Sequence, residues 1–167
     1  MARALIIGCG CRGRELGERL LAEGWAVRGT SRREQGLAAI EAAGIEPALA
    51  DPDRVGTLVE LVGDVAIVFH LLGSAVGEPE ALAAIHCPRL ERLLERVVDT
   101  PVRGVVYEAV GTVDAGLLAA GAELVRTASR TWHIPVEVVD SEPDAPADWS
   151  EQMTDLALGL LSPARGS

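Results

Sequence analysis

The chain reads as a single doubly wound α/β Rossmann domain, with a six-stranded parallel sheet in the order 3-2-1-4-5-6 and helices on both faces. Three observations predict it. Short aliphatic and β-branched runs alternate with longer amphipathic segments. The connections between them are short, as right-handed β-α-β crossovers allow. The first run enters a glycine-rich turn that opens a helix. A length of 167 residues supports one sizeable core and not comfortably two, so residues 1–167 are expected to form one domain. Aromatics are only 3% of the chain, so that core must be built by aliphatic packing.

The elements follow in order. Ala4-Leu-Ile-Ile7 has the composition of a buried strand. Residues 14–23 form a helix with Leu16, Leu20 and Leu21 on one face, and Gly24 ends it. Residues 26–30 are a second strand. Ser31-x-x-Glu34 reads as a capping box that opens a helix to Ala43, closed by Gly44. Residues 46–50 are a third strand. Asp51-Pro52 reads as an N-cap with proline at the first helical position, and that helix runs to Leu61. Residues 65–71 are the fourth strand, 79–98 the longest helix and 104–108 the fifth strand. Residues 114–132 are helical in pattern, although Gly116 and Gly121 lower the propensity. His133, before Pro135, caps that helix. Strand 136–139 and helix 149–161 complete the order, and only 140–148, rich in acids and proline, reads as irregular.

Charge excludes some partners. The net charge of −10 argues against nucleic acid, whose binders need clustered cations, and against anionic membrane surfaces. The longest apolar run, residues 65–72, is interrupted by His70 and is too short to cross a bilayer. No secretory segment is read at the N-terminus. Cys9, Cys11 and Cys87 make no even disulfide framework, which fits a reducing cytoplasm. All 15 cations are arginine, and the chain has neither lysine nor asparagine.

Gly8-Cys9-Gly10-Cys11-Arg12-Gly13 is a G-x-G-x-x-G loop between a buried strand and a helix, the setting in which that pattern binds a dinucleotide. The first glycine permits the turn. The second admits the pyrophosphate, and the third lets helix and strand pack closely. The helix start offers free N–H groups and the positive end of its dipole. An acid that would hold a ribose 2′-hydroxyl is expected at the end of the second strand. The chain has Thr30-Ser31-Arg32-Arg33 there instead. Arginine forks and hydroxyls suit a 2′-phosphate, so NADP(H) is expected over NAD(H).

These residues resemble the short-chain dehydrogenase/reductase superfamily, in its atypical NAD(P)-binding branch related to nucleotide-sugar epimerases. The likeness runs through Gly8 to Gly13, Gly24-Trp-Ala-Val-Arg-Gly-Thr-Ser-Arg32 and Gly44-Ile-Glu-Pro-Ala-Leu-Ala-Asp51. It continues less sharply through Val68-Phe-His-Leu-Leu-Gly73 and Val105-Val-Tyr-Glu-Ala109. It implies that Asp51 lies near the adenine and that His70, Leu71, Leu72 and Gly73 line the cofactor ribose. It also implies pairing of subunits through helices 79–98 and 114–132, hence a homodimer.

The chain departs from the family at its chemistry. Working reductases of that family carry Tyr-x-x-x-Lys on the helix after the fifth strand, with a serine before it. Here the single tyrosine, Tyr107, lies in the fifth strand, Ala109 or Val110 stands where the serine falls, and there is no lysine. Few residues follow the sixth strand, so no separate substrate lobe is expected. Cys9-x-Cys11 with His86-Cys87 does not have the spacing of a zinc site, and no metal is expected. His70 and Glu108 close strands at the carboxyl edge and could act as an acid–base pair, with Thr112 the nearest remaining hydroxyl. Two functions stay open. One is a cofactor sensor or regulatory binder. The other is an NADP-dependent oxidoreductase or epimerase-like enzyme with Glu108 or His70 as its acid or base. A scaffold that binds nothing is disfavoured by the intact glycine loop.

Overall fold

A computed structural model describes residues 2–162. Residue 1 and residues 163–167, which the single-domain expectation included, lie outside the described residues. The strands are β1 (Arg3–Ile7), β2 (Ala26–Ser31), β3 (Glu46–Leu49), β4 (Ile67–His70), β5 (Gly104–Glu108) and β6 (Val136–Val139). The helices are α1 (Cys11–Ala22), α2 (Glu34–Ala42), α3 (Val55–Val59), α4 (Pro79–His86), α5 (Pro88–Val97), α6 (Ala115–Trp132) and α7 (Trp149–Leu161), with a short 3-10 turn, Pro146–Asp148, before the last. All strand pairs are parallel and the order is β3-β2-β1-β4-β5-β6, as the alternation of elements predicts.

Strand alternation splits the core into two layers. Leu5, Ile7, Val68, Val105 and Tyr107 point to one face, where they meet Val55 and Leu58 of α3, Leu90, Leu93 and Leu94 of α5, and Ala122 and Val125 of α6. Ala4, Ile6, Val27, Ile67, Phe69 and Val106 point to the other, against Leu16 and Leu20 of α1, Ile40 of α2, and Trp149, Met153 and Ala157 of α7. The central strands are buried on both sides, so they read as continuous apolar runs and not as alternating ones.

Four local expectations need correction. Ser31 is the last residue of β2 and not a capping residue: its hydroxyl accepts from the Arg33 N–H and donates to the Arg33 carbonyl, and α2 begins after Arg33 without a side-chain cap. Asp51 does not start a helix. Its carboxylate accepts from the Asp53 N–H to make a turn, and α3 is only the five residues Val55–Val59. The long helix 79–98 is two helices. Pro88 has no N–H to give back to the preceding turn and pushes Cys87 out of the helical region, to φ −126° and ψ −89°. The fourth strand is shorter than expected, ending at His70.

The helix ends follow expectation more closely. Gly24 and Gly44 stand after α1 and α2 with φ of +87° and +84°. Asp114 caps α6 by accepting from the Leu117 N–H, and His133 closes it in the left-handed region at φ +57°. Among the described residues, no helix is long and apolar enough to cross a membrane.

Candidate functional site

The carboxyl edge of the sheet opens into a cleft of about 580 Å³. Its floor is the glycine loop. Gly8 takes φ +83°, and a β-carbon there would lie 2.6 Å from the Leu71 carbonyl oxygen, so only glycine fits the turn. The Gly8 N–H donates to the Thr30 hydroxyl at 3.2 Å, and the Cys9 N–H donates to the Thr30 carbonyl at 3.0 Å. Thr30 therefore clamps the loop from the end of β2 as well as lining the cleft. A β-carbon on Gly10 would meet nothing within 4 Å, so the space above it is open. Gly13 is closed by contrast: a β-carbon there would stand 3.2 Å from the Gly8 carbonyl oxygen and 3.3 Å from Ile6. The three positions thus differ in kind: a tight turn at Gly8, open space above Gly10 and close helix–strand packing at Gly13.

The Arg14 N–H is the first in α1 to bond back along the chain, to the Gly10 carbonyl at 2.8 Å. The N–H groups of Cys11, Arg12 and Gly13 lie before it, at the unpaired start of the helix, where an anion is stabilised. The Cys9 thiol is buried beneath Gly29, and burial pushes it up to about 11, which makes it a packing group and not a nucleophile. Among the described residues, no group of three or more His, Cys, Asp or Glu could hold a metal ion.

Around this floor stand Ser31 and Arg32 from the end of β2, Asp51 with Pro52 and Asp53 after β3, and Leu71 and Leu72 after β4. Glu108 closes the far end. These residues converge as expected. Arg33 does not: it is exposed, caps the backbone of α2 and lies outside the cleft wall. Gly73 is also off the wall. Its N–H donates to Glu108 Oε1 at 3.1 Å, and its carbonyl accepts from the Val113 N–H, which ties the loop after β4 to the loop after β5. Thr112 is exposed outside the cleft. Its contribution is its backbone N–H, donated to the Ser74 hydroxyl at 3.2 Å.

His70 and Glu108 do not form a pair. His70 stands opposite Tyr107 in the β4–β5 register, so its side chain points into the α5–α6 layer, whereas Glu108, one residue on from Tyr107, points the other way into the cleft. His70 is 2% exposed and packs against the rings of His86 and Tyr107, with centroids 5.6 and 5.3 Å away. Burial, then the neighbouring His86, pushes it down to about 3, so it is neutral, and its Nδ1 has no partner. His86 makes two bonds, Nδ1 with the Tyr107 hydroxyl at 2.7 Å and Nε2 with the Leu72 carbonyl at 2.9 Å. The carbonyl can only accept, so Nε2 carries the proton and Nδ1 accepts from the tyrosine. Burial also raises the Glu108 carboxyl above the usual carboxylate range, opposed by its bond from Gly73 and by Arg12.

Several wall residues carry no motif. Ser74 to Gly77, Ala81, Leu82 and Ile85 line the cleft from the loop after β4 and from α4. Their signal was only an apolar helical face beside the carboxyl edge. Arg14 was hidden as an ordinary helix cation. Trp149 lies more than a hundred residues from the glycine loop, and only the α1–α7 packing brings it there.

No family model matches the chain, and no curated protein matches it. Solved structures do. A short-chain dehydrogenase/reductase superfamily protein from Agrobacterium tumefaciens with bound NAD is 17% identical, with a TM-score of 0.69, over 99% of this chain and 63% of its own. The UDP-glucuronic acid 4-epimerase of Bacillus cereus in complex with NAD is 16% identical, with a TM-score of 0.67, over 81% of this chain and 54% of its own. The UDP-glucose 4-epimerase of Thermotoga maritima with UDP-glucose is 14% identical, with a TM-score of 0.68, over 81% and 54%. The chain has the doubly wound fold of these dehydrogenase/reductase and epimerase structures, and it spans between 54 and 63% of their lengths.

Proposed function

We propose that this chain is an NADP(H)-binding member of the short-chain dehydrogenase/reductase superfamily that acts as a cofactor sensor or regulatory binder. The observation that carries the reading is the cleft. Its open space lies above Gly10 and the unpaired N–H groups of α1, where a pyrophosphate is bound by backbone donors and the helix dipole. The bound NAD of the Bacillus cereus and Agrobacterium tumefaciens structures supports a nicotinamide dinucleotide as the ligand. Preference for NADP(H) rests on Arg32, which is exposed at the cleft wall and, among the described residues, enters no ion pair. No acid at the end of β2 would repel a 2′-phosphate.

The proton donors support a non-reducing role. The tyrosine hydroxyl is bound to His86 behind the sheet, and no lysine exists to lower its pKa. One observation favours an enzyme instead: Glu108 is a buried carboxyl on the cleft wall, and burial raises its pKa above the usual carboxylate range, the direction that suits a general acid. His70 has no part in that second reading. The reading also includes a cytoplasmic setting, supported by three free cysteines, and a homodimer through α4–α5 and α6. Such an interface would be polar, because α5 presents Glu91, Arg92, Glu95 and Arg96 outward.

Gly10→Val tests the reading directly. Its β-carbon would meet nothing within 4 Å in the protein and its branches would enter the pyrophosphate space, so dinucleotide binding should be lost in calorimetry with the circular dichroism unchanged. Undiminished affinity in the folded variant would make the loop a structural corner only.

A further inference from the structure

Arg12 faces two ways. Its backbone N–H belongs to the unpaired start of α1, but its guanidinium turns toward the loop after β6. There both terminal nitrogens donate to the two carboxylate oxygens of Glu142, at 3.1 and 2.9 Å. The guanidinium carbon lies 4.2 Å from the ring centre of Trp149. Trp149 is 1% exposed, lines the cleft, and has an indole Nε1 without a hydrogen-bond partner. Glu108 stands in the same wall. One end of the cleft thus holds a planar cation seated on an aromatic ring, a spare buried N–H donor and a buried carboxyl.

A fork that grips a carboxylate with both of its terminal nitrogens shows the chemistry for which it is shaped. Glu142 is a poor permanent owner of it. Its side chain is 48% exposed on an irregular loop and Arg12 is 42% exposed, so solvent and salt screen the pair and its closure is weak. Trp149, by contrast, is buried in the core layer beneath α1 and α7 and offers a fixed ring face to the guanidinium.

We propose that Arg12 and Trp149 form a subsite for a second, small ligand bearing a carboxylate, and that Glu142 is the internal stand-in which this ligand displaces. The proposal rests on reading the cleft as a dinucleotide site. The backbone of Arg12 serves the pyrophosphate, and its side chain serves the second ligand. The position beside Glu108 and the strand ends places the carboxylate at the end of the cleft away from Arg32 and Asp51.

The test is calorimetric titration of malonate, with malonamide as the uncharged control, into the chain with and without saturating NADPH. The parent, Arg12→Gln and Glu142→Gln are compared, each checked by circular dichroism. Malonate should bind the parent and malonamide should not. Glu142→Gln should bind malonate about tenfold more tightly because the competitor is gone, and Arg12→Gln should lose it. NADPH affinity should change by less than about twofold in Glu142→Gln, whose side chain lies outside the cleft lining. The subsite is refuted if neither the parent nor Glu142→Gln binds malonate, or if Arg12→Gln loses about tenfold in NADPH affinity, which would assign the side chain to the pyrophosphate. Malonate binding by a chain that takes no dinucleotide would support the subsite and remove the dinucleotide reading. Glu142→Gln alters only an exposed side chain, so it keeps the test decisive if Arg12→Gln fails to fold.

Discussion

Arg32 and Arg33 are adjacent in sequence and different in space, and the difference decides what each can do. Arg32 lies on the cleft wall at the end of β2. Arg33 is the residue from which α2 departs, with φ −121° and ψ 139°, and it stands off the wall. Charge-assisted contacts to phosphate are worth about 1.5–3 kcal/mol, so Arg32→Ala should weaken NADPH by about tenfold or more and NADH far less. Arg33→Ala should leave both within about twofold, as an exposed charge with no direct contact does. Parallel titrations of the two variants check this, and equal losses in NADPH and NADH for Arg32→Ala would contradict it. From sequence the two arginines were indistinguishable, because which one faces the ligand depends on where β2 ends. Gly8 and Gly13 were legible because a local backbone demand requires each, a turn at Gly8 and close packing at Gly13, whereas Gly10 was legible only from its place in the loop pattern.

At the scale of elements, the strands and their order were readable because two-sided burial imposes aliphatic runs and short crossovers impose the winding. The breaks were not. A hydrophobic period carried across Cys87-Pro88 suggests one helix, but proline chemistry makes two, and the corner brings His86 against Tyr107 and the Leu72 carbonyl. His70 was misassigned for a similar reason. The end of a strand is visible in sequence, but the face to which its last residue points depends on a register with β5 that composition does not reveal. The same packing explains Gly121, which weakens the propensity of α6 yet sits where a β-carbon would collide with the Tyr107 hydroxyl. Gly121→Ala should therefore destabilise the chain by about 1–3 kcal/mol through overpacking, despite alanine's better helix propensity. Denaturant unfolding measures it, and a variant as stable as the parent would show that the ring moves aside freely.

For the whole molecule, two buried neutral histidines behind the sheet set a pH dependence. His70 is depressed from 6.5 to about 3, so it is neutral in the folded chain while the unfolded chain takes up a proton. The unfolded state then binds more protons, and stability falls as pH drops from 6.5 toward about 3. His70→Leu removes that linkage and the unpartnered Nδ1 with it. Its advantage over the parent in thermal unfolding should widen as pH falls through this window, and a gap that stays constant with pH would contradict the assignment. The chain as a whole is acidic, with a net charge of −10, so the proposed polyanionic dinucleotide would be attracted only through local features, the α1 start and Arg32. The most direct measurement is a parallel calorimetric titration of the parent chain with NADP⁺, NADPH, NAD⁺ and NADH. One site per chain is expected, with the 2′-phosphorylated pair bound about tenfold or more tightly than its counterparts. Tighter binding of NAD⁺ and NADH would overturn the assignment of Arg32, and no heat with any of the four would overturn the cleft as a dinucleotide site.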